Sequence, residues 1–295
     1  MKIGFIGAGK VGTSFGIYLK NQGFEIYGYF SKTFSSAEKS AKLTGSKAVL
    51  DETDLVKSTD ILFITTSDDA ITKVCDDLVE RNVLSEGKIL VHMSGASSSN
   101  ILKRAKKSGC FIYSMHPLQA FADIEKAVDD LKGTYFSIEG DKEKLHVLED
   151  MLKKLGNPYF KLTAEQKSIY HVTACVVSNY LVTLMDYGLY LFDTIGIDKR
   201  EGYKALLPLI EGTIKNINGL GTKDALTGPI VRGDVGTVKK HIEELKNLEH
   251  LGTVKQNIGV LDFYKIMGVK TLELAKKKDE NKDFEELKNI LKEVE

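Results

Sequence analysis

Three glycines near the start of the chain, Gly7, Gly9 and Gly12, stand at the spacing that lets a backbone cradle a pyrophosphate. The apolar run Ile3-Gly4-Phe5-Ile6 leads straight into them, and a helix-like pattern with Phe15, Ile17, Tyr18 and Leu19 follows. In a strand, tight turn and helix of this kind, Gly7 permits the turn, Gly9 lets a phosphate approach the backbone, and Gly12 lets helix and strand pack closely. The helix N-terminus then aims free N–H groups and a positive dipole end at the phosphates. Gly7, Ala8, Gly9, Lys10, Val11 and Gly12 are the expected dinucleotide loop.

The loop after the second strand, Phe24 to Phe30, selects the dinucleotide. An NAD site usually places an acid there for the ribose 2′-hydroxyl. Ser31, Lys32 and Thr33 offer hydroxyls and a cation instead, which suit a 2′-phosphate. NADP(H) is the expected cofactor. The strand Asp60 to Thr66 ends in Thr66 and Ser67, which are expected in the cofactor cleft, although Ser67 with Asp68 and Asp69 also makes a good helix start.

Two later strands carry polar residues to the same sheet edge. Lys88 to His92 runs into Ser94-Gly95, and Cys110 to Met115 runs into His116-Pro117. Pro117 disfavours a helical conformation at His116, which keeps the histidine at a strand end. Further on, His171, Cys175 and Asn179 recur every four residues on an apolar helix expected to be largely buried. At about 100° per residue they span about 80° of its circumference. Buried polar groups need partners, and a cofactor cleft would supply them. Arg232, in the shaped loop Ala225 to Asp234, offers a fork for a carboxylate, or else a structural partner for Asp234.

The elements that hold these groups fall into two textures. Up to Lys161, short apolar strands alternate with helices, which predicts an α/β fold with a doubly wound, mostly parallel Rossmann sheet over residues 1–161. From 162 to 295 long periodic segments follow, at Ala164 to Asp193, Lys199 to Asn218, Val235 to Leu248 and Thr253 to Lys277. They predict an all-helical second domain for substrate binding and dimerisation.

Charge and cysteine content narrow the function. The 41 basic and 41 acidic residues cancel, so nothing in the net charge asks for nucleic acid or a membrane surface. Three scattered cysteines suit a reducing cytoplasm and offer no Cys-rich metal site, so no metal is expected. No apolar stretch is expected to reach about 18 residues, so neither a signal peptide nor a membrane span is expected. The apolar helix around Leu181 to Phe192 predicts a homodimer through the helical domain.

Gly7-x-Gly9-x-x-Gly12, His92-x-Ser94-Gly95, Ser114-x-His116-Pro117-Leu118, the His171 to Asn179 helix and Leu226-Thr227-Gly228-Pro229-x-x-Arg232-Gly233-Asp234 together resemble a known group. It comprises two-domain Rossmann proteins with an initially uncharacterised C-terminal domain, among proteins whose helical domain is like that of 6-phosphogluconate dehydrogenase. The resemblance implies an NADPH-dependent reductase of a small 2-oxo acid, some members resembling alternative ketopantoate reductases of pantothenate biosynthesis. The usual ketopantoate reductases carry Lys, Asn and Asn where this chain has His171, Cys175 and Asn179. His116-Pro117 and Ser94 are also similar to motifs of prephenate dehydrogenases. An imine-reducing oxidoreductase and a non-catalytic NADP-binding regulator complete the alternatives. In the reductase reading His171, Asn179 and His116 are catalytic, and Ser94, Gly95 and Arg232 bind substrate.

Overall fold

Eight strands alternate with helices up to Lys161 in the computed structural model, which describes residues 1–250 and 259–292. In order they are β1 (Lys2–Ile6), α1 (Lys10–Asn21), β2 (Glu25–Phe30), α2 (Phe34–Thr44), β3 (Lys47–Ala48), α3 (Glu52–Lys57), β4 (Ile61–Ile64) and α4 (Asp68–Glu80). Then come β5 (Ile89–His92), a 3₁₀ helix (Ser99–Ser108), β6 (Phe111–Pro117), α5 (Ile124–Asp130), β7 (Phe136–Gly140), α6 (Leu145–Leu155) and β8 (Tyr159–Lys161). They form one sheet in the order β3-β2-β1-β4-β5-β6-β7-β8. Only the β6–β7 pair is antiparallel. The order reverses between β1 and β4, so the crevice for a ligand opens beyond the carboxyl ends of those strands.

The strands are apolar because the sheet is covered on both faces. On one face Phe5, Phe15, Tyr29, Phe63 and Phe136 form an aromatic core, with Phe5 stacked on Tyr29 at 5.0 Å and on Phe63 at 5.3 Å between centroids. Leu55, Leu62, Ile71, Leu78 and Leu90 fill the other.

The remaining helices are α7 (Gln166–Ala174), a π-helical turn (Cys175–Asn179), α8 (Tyr180–Thr194), α9 (Lys199–Ala225), α10 (Pro229–Arg232), α11 (Val235–His250), α12 (Val260–Lys278) and α13 (Glu285–Lys292). The chain divides into two compact units, Met1–Tyr180 and Leu181–Glu295. The last strand ends at Lys161, but the first unit continues through α7, because the side chain of Lys167 is buried against Ser94 and Ser137. The second unit is helical, with Val238, Ile242, Leu272, Ala275, Leu287 and Leu291 in its core.

Several expectations are corrected. α9 runs to Ala225 and is interrupted at Gly221, whose φ of 77° only glycine adopts readily. The segment expected to be a shaped loop contains the one-turn helix α10, since Pro229 stands at its first turn, where a missing N–H costs nothing. Residues 253–258 of the helix expected from Thr253, and the last three residues of the chain, lie outside the described residues. The helix expected to be buried is instead exposed in the single chain, with Ile169 63%, Val177 66% and Val182 70% accessible. Moreover, the continuous helical run Gln166–Thr194 is by length and composition apolar enough to cross a membrane. Its mean hydropathy tolerates interrupting polar residues that a count of uninterrupted apolar ones does not.

Candidate active site

Gly7 and Gly12 make the turn and the close packing that their spacing suggested. Gly7 has φ 108°, and a Cβ there would lie 2.6 Å from the Thr65 backbone carbonyl carbon. A Cβ on Gly12 would overlap the Thr65 hydroxyl and meet the Gly7 carbonyl at 2.7 Å, so helix and strand touch at this point. Over Gly9, by contrast, there is open space within 4 Å. This cradle fits a pyrophosphate: the backbone at Gly9, the N-cap of α1, is exposed. Ala8 and Val11 are half-buried beside it, and Lys10 reaches across to the Ala122 carbonyl at 2.7 Å. Ser31 is half-buried and Lys32 exposed at the exit of β2. Thr66 is half-buried, and Ser67 is the N-cap residue of α4 without a side-chain capping bond.

The carboxyl ends of β5 and β6 hold the titratable groups. His92 is fully buried, its Nδ1 accepting from the Ser94 N–H at 3.2 Å. Its Nε2 therefore carries the hydrogen and donates to the Ser98 carbonyl at 3.1 Å. Burial pushes its pKa down to about 4. The Ser94 hydroxyl donates to Asp68 at 2.7 Å and accepts from the Ser97 N–H at 3.2 Å. It thus has its partners within the protein. Gly95, next in the turn, is buried beneath two side chains.

Above Gly95 two imidazoles converge. A Cβ on this residue would stand 2.6 Å from His171 Nδ1 and 2.8 Å from His116 Nε2. The rings are nearly perpendicular at 87°, with centroids 6.2 Å apart. His116 Nδ1 is 3.1 Å from the Tyr170 hydroxyl. His171 Nε2 is 3.5 Å from the Cys175 sulfur, and its Nδ1 is buried without a hydrogen-bond partner. Burial, then the charge of Lys167 and the neighbouring His171 and His92, push the His116 pKa down to about 3. A cavity of about 360 Å³ adjoins the pair, lined by residues that include His116, Gln119, His171, Ser178 and Asn179.

The π-helical turn gives this lining its geometry. It comes directly after α7 and includes Asn179, changing the 100° phase that a regular helix would keep from His171 onward. His171 and Asn179 nonetheless both reach the cavity.

Residues 1–117 match a Rossmann-like domain, and residues 134–271 match a domain of unknown function, DUF2520. This chain joins the two. Protein TM1727 from Thermotoga maritima is similar over 93% of this chain and 98% of its own, at 28% identity and a TM-score of 0.71. A candidate NADP oxidoreductase, BF3122 of Bacteroides fragilis, is similar over 92% and 98% at 22% identity and a TM-score of 0.73. An imine reductase from Myxococcus stipitatus in complex with NADP+ is similar over 99% and 100% at 18% identity and a TM-score of 0.64. These last two likenesses are of fold. A comparison with functionally curated proteins gave no match.

Both matched segments contribute residues to this cluster. Gly95 and His116 come from the first, while Tyr170, His171 and Asn179 come from the second. The DUF2520 segment also brings Lys167, which reasoning from sequence did not single out. Its ammonium is 3.1 Å from the Ser94 carbonyl and 3.4 Å from the Ser137 hydroxyl. Burial lowers its pKa to about 8, opposed by Glu139 and Asp68. The available signal was its place four residues before His171, on the same helix face. Arg232 lies in the other compact unit, exposed at the end of α10, where its charge helps to lower the pKa of Asp234. Hydrogen bonds from Thr237 N–H and hydroxyl are the larger cause there, so Asp234 caps α11.

Proposed function

We propose that this chain is an NADPH-dependent reductase of a small 2-oxo acid, with 2-dehydropantoate, reduced to pantoate, as the leading substrate. The observation that carries the reading is a cavity of about 360 Å³ lined by two imidazoles, His116 from the carboxyl end of a strand in a Rossmann sheet and His171 from α7. Reducing a carbonyl takes a hydride and a proton. Bound NADPH supplies the hydride. The chain holds the carbonyl oxygen in the cavity that His116 and His171 line and delivers the proton to it, and an unperturbed imidazole exchanges protons near neutral pH. His171, with Nδ1 buried and unpartnered, is the donor. Asn179, on the cavity wall, orients the substrate. The carboxylate role expected of Arg232, which belongs to the other compact unit, is tested by itself: Arg232→Met raises KM and leaves the melting temperature in place if the side chain binds substrate.

A second reading, reduction of an uncharged imine, is favoured by the cavity wall: among the described residues that line it, none is Lys or Arg. NADPH oxidation against ketopantoate, pyruvate, prephenate and cyclic imines separates the readings. Turnover of imines alone replaces the first by the second. NADPH binding without any turnover makes the protein a cofactor-binding regulator.

The exposed apolar side chains of Val182, Leu184, Leu209, Ile214 and Leu220 belong, in this reading, to the interface of a cytoplasmic homodimer. Light scattering at micromolar concentration tests this, and a monomer would remove the dimer.

A further inference from the structure

We propose that Lys167 is a positioning residue whose buried ammonium pins α7 to the sheet and thereby fixes His171 against His116. α7 offers the sheet one buried side chain, and that side chain is polar. Lys167 is 1% exposed, while the apolar Ile169 and Val172 on the same helix stand exposed. The place of α7 on the strand ends is therefore set by hydrogen bonds more than by apolar contact.

Each partner of the ammonium belongs to the surroundings of the two histidines. An ammonium has three hydrogens to donate and accepts none. One goes at 3.1 Å to the carbonyl of Ser94, the residue before the glycine against which both imidazoles lie. Another goes at 3.4 Å to the hydroxyl of Ser137, which stands directly opposite His116 in the antiparallel β6–β7 ladder. Side chains opposite each other in such a pair leave the sheet on the same face. His171 follows Lys167 by four residues, about one helical turn along α7. Lys167 thus bonds the turn beneath both rings and the strand neighbour of His116, while its own helix carries His171. The Tyr170 hydroxyl, 3.1 Å from His116 Nδ1, is a second link from α7, made to the ring itself.

Burial makes the pin firm, because water does not compete for its hydrogens and a low local dielectric strengthens each bond. Glu139 and Asp68 oppose the loss of its charge, and the ammonium lies 5.5 Å from the Tyr170 ring centroid. Glu139 is itself held by the Ser99 N–H and hydroxyl, both at 2.7 Å. Lys167 is not among the residues that line the cavity, so it acts through the histidines that do. In the reductase reading, on which this step rests, it keeps the proton donor in register with the rest of the site.

The relation between the rings, whose centroids are 6.2 Å apart, is read in the full chain with isotope-labelled histidines. A nuclear Overhauser contact between the His116 and His171 rings is expected in the unmodified protein. Lys167→Met keeps the length of the side chain and removes its donors, and there the contact weakens or disappears while circular dichroism shows the fold retained. In the same variant kcat falls about 10²-fold, the scale set by an ångström of misplacement, and the KM for NADPH is unchanged. Absence of the contact in the unmodified protein overturns the proposal, and so does its persistence at full strength in Lys167→Met. A lowered melting temperature with kcat retained also overturns it, since Lys167 would then serve stability alone. If Lys167→Met does not fold, Ser137→Ala removes the partner opposite His116: a weakened ring contact supports the pin, and an unchanged one overturns it. The ring contact needs no turnover, so a chain that loses it in Lys167→Met yet reduces none of the tested substrates keeps this assignment and loses the function.

Discussion

His116 Nε2 and His171 Nδ1 approach one point above Gly95, 2.8 and 2.6 Å from where a Cβ on that glycine would stand. The glycine is required there for space and not for backbone freedom, since its φ lies outside the left-handed region. Gly95→Ala therefore displaces the two rings without straining the turn. Activity falls about 10²-fold, the scale set by an ångström of misplacement. NADPH affinity and melting temperature change little. Titration calorimetry and steady-state rates check this, and unaltered turnover would remove the placement of these two rings from the mechanism.

The two histidines separate by substitution. His171→Asn keeps the fold and NADPH binding and lowers kcat by about 10²–10⁴, the usual worth of a positioned acid. His116→Asn costs less, since a hydrogen-bond donor is lost and a proton donor is kept. If His116→Asn is the dead variant and His171→Asn only destabilises, the roles are exchanged and the prephenate-type reading gains.

Cofactor choice rests on Ser31 and Lys32 at the exit of β2. NADPH binds more tightly than NADH, and Lys32→Asp reverses or abolishes the preference while NADH binding persists. Fluorescence titration of both dinucleotides measures it. Equal affinities in the unmodified protein contradict the assignment.

Acid stability follows from His92 and His116, whose pKa values in the fold are about 4 and about 3. The unfolded chain takes up these protons near pH 6.5, so below that pH it binds more protons than the fold. Their contribution is complete above about pH 6.5 and is lost as the pH falls toward the folded values. The melting temperature drops through this window, and the drop is shallower in His92→Gln. Parallel curves for the two proteins would show that His92 is not responsible.

Much of this architecture was legible in the sequence because it is written in local spacing. A glycine triplet between an apolar run and a helical pattern specifies strand, turn and helix within one short segment, and the polar ends of β5 and β6 follow from where each run stops. Ser94 and His116 were legible in the same way as residues at one sheet edge. What Ser94 does there was not: its hydroxyl meets Asp68, 26 residues away, and its carbonyl meets Lys167, 73 residues away. The His116–Tyr170 bond spans 54 residues. No local period reports such contacts, which depend on how the strands order in the sheet and where α7 lands on their ends. The burial of Lys167 belongs to the same class, because a lysine in an amphipathic helix reads as solvated until a carbonyl and a hydroxyl are brought to its ammonium. Sequence spacing placed the residues on their elements; tertiary packing decided which nitrogens face each other, because hydrogen-bond partners are chosen by proximity in space.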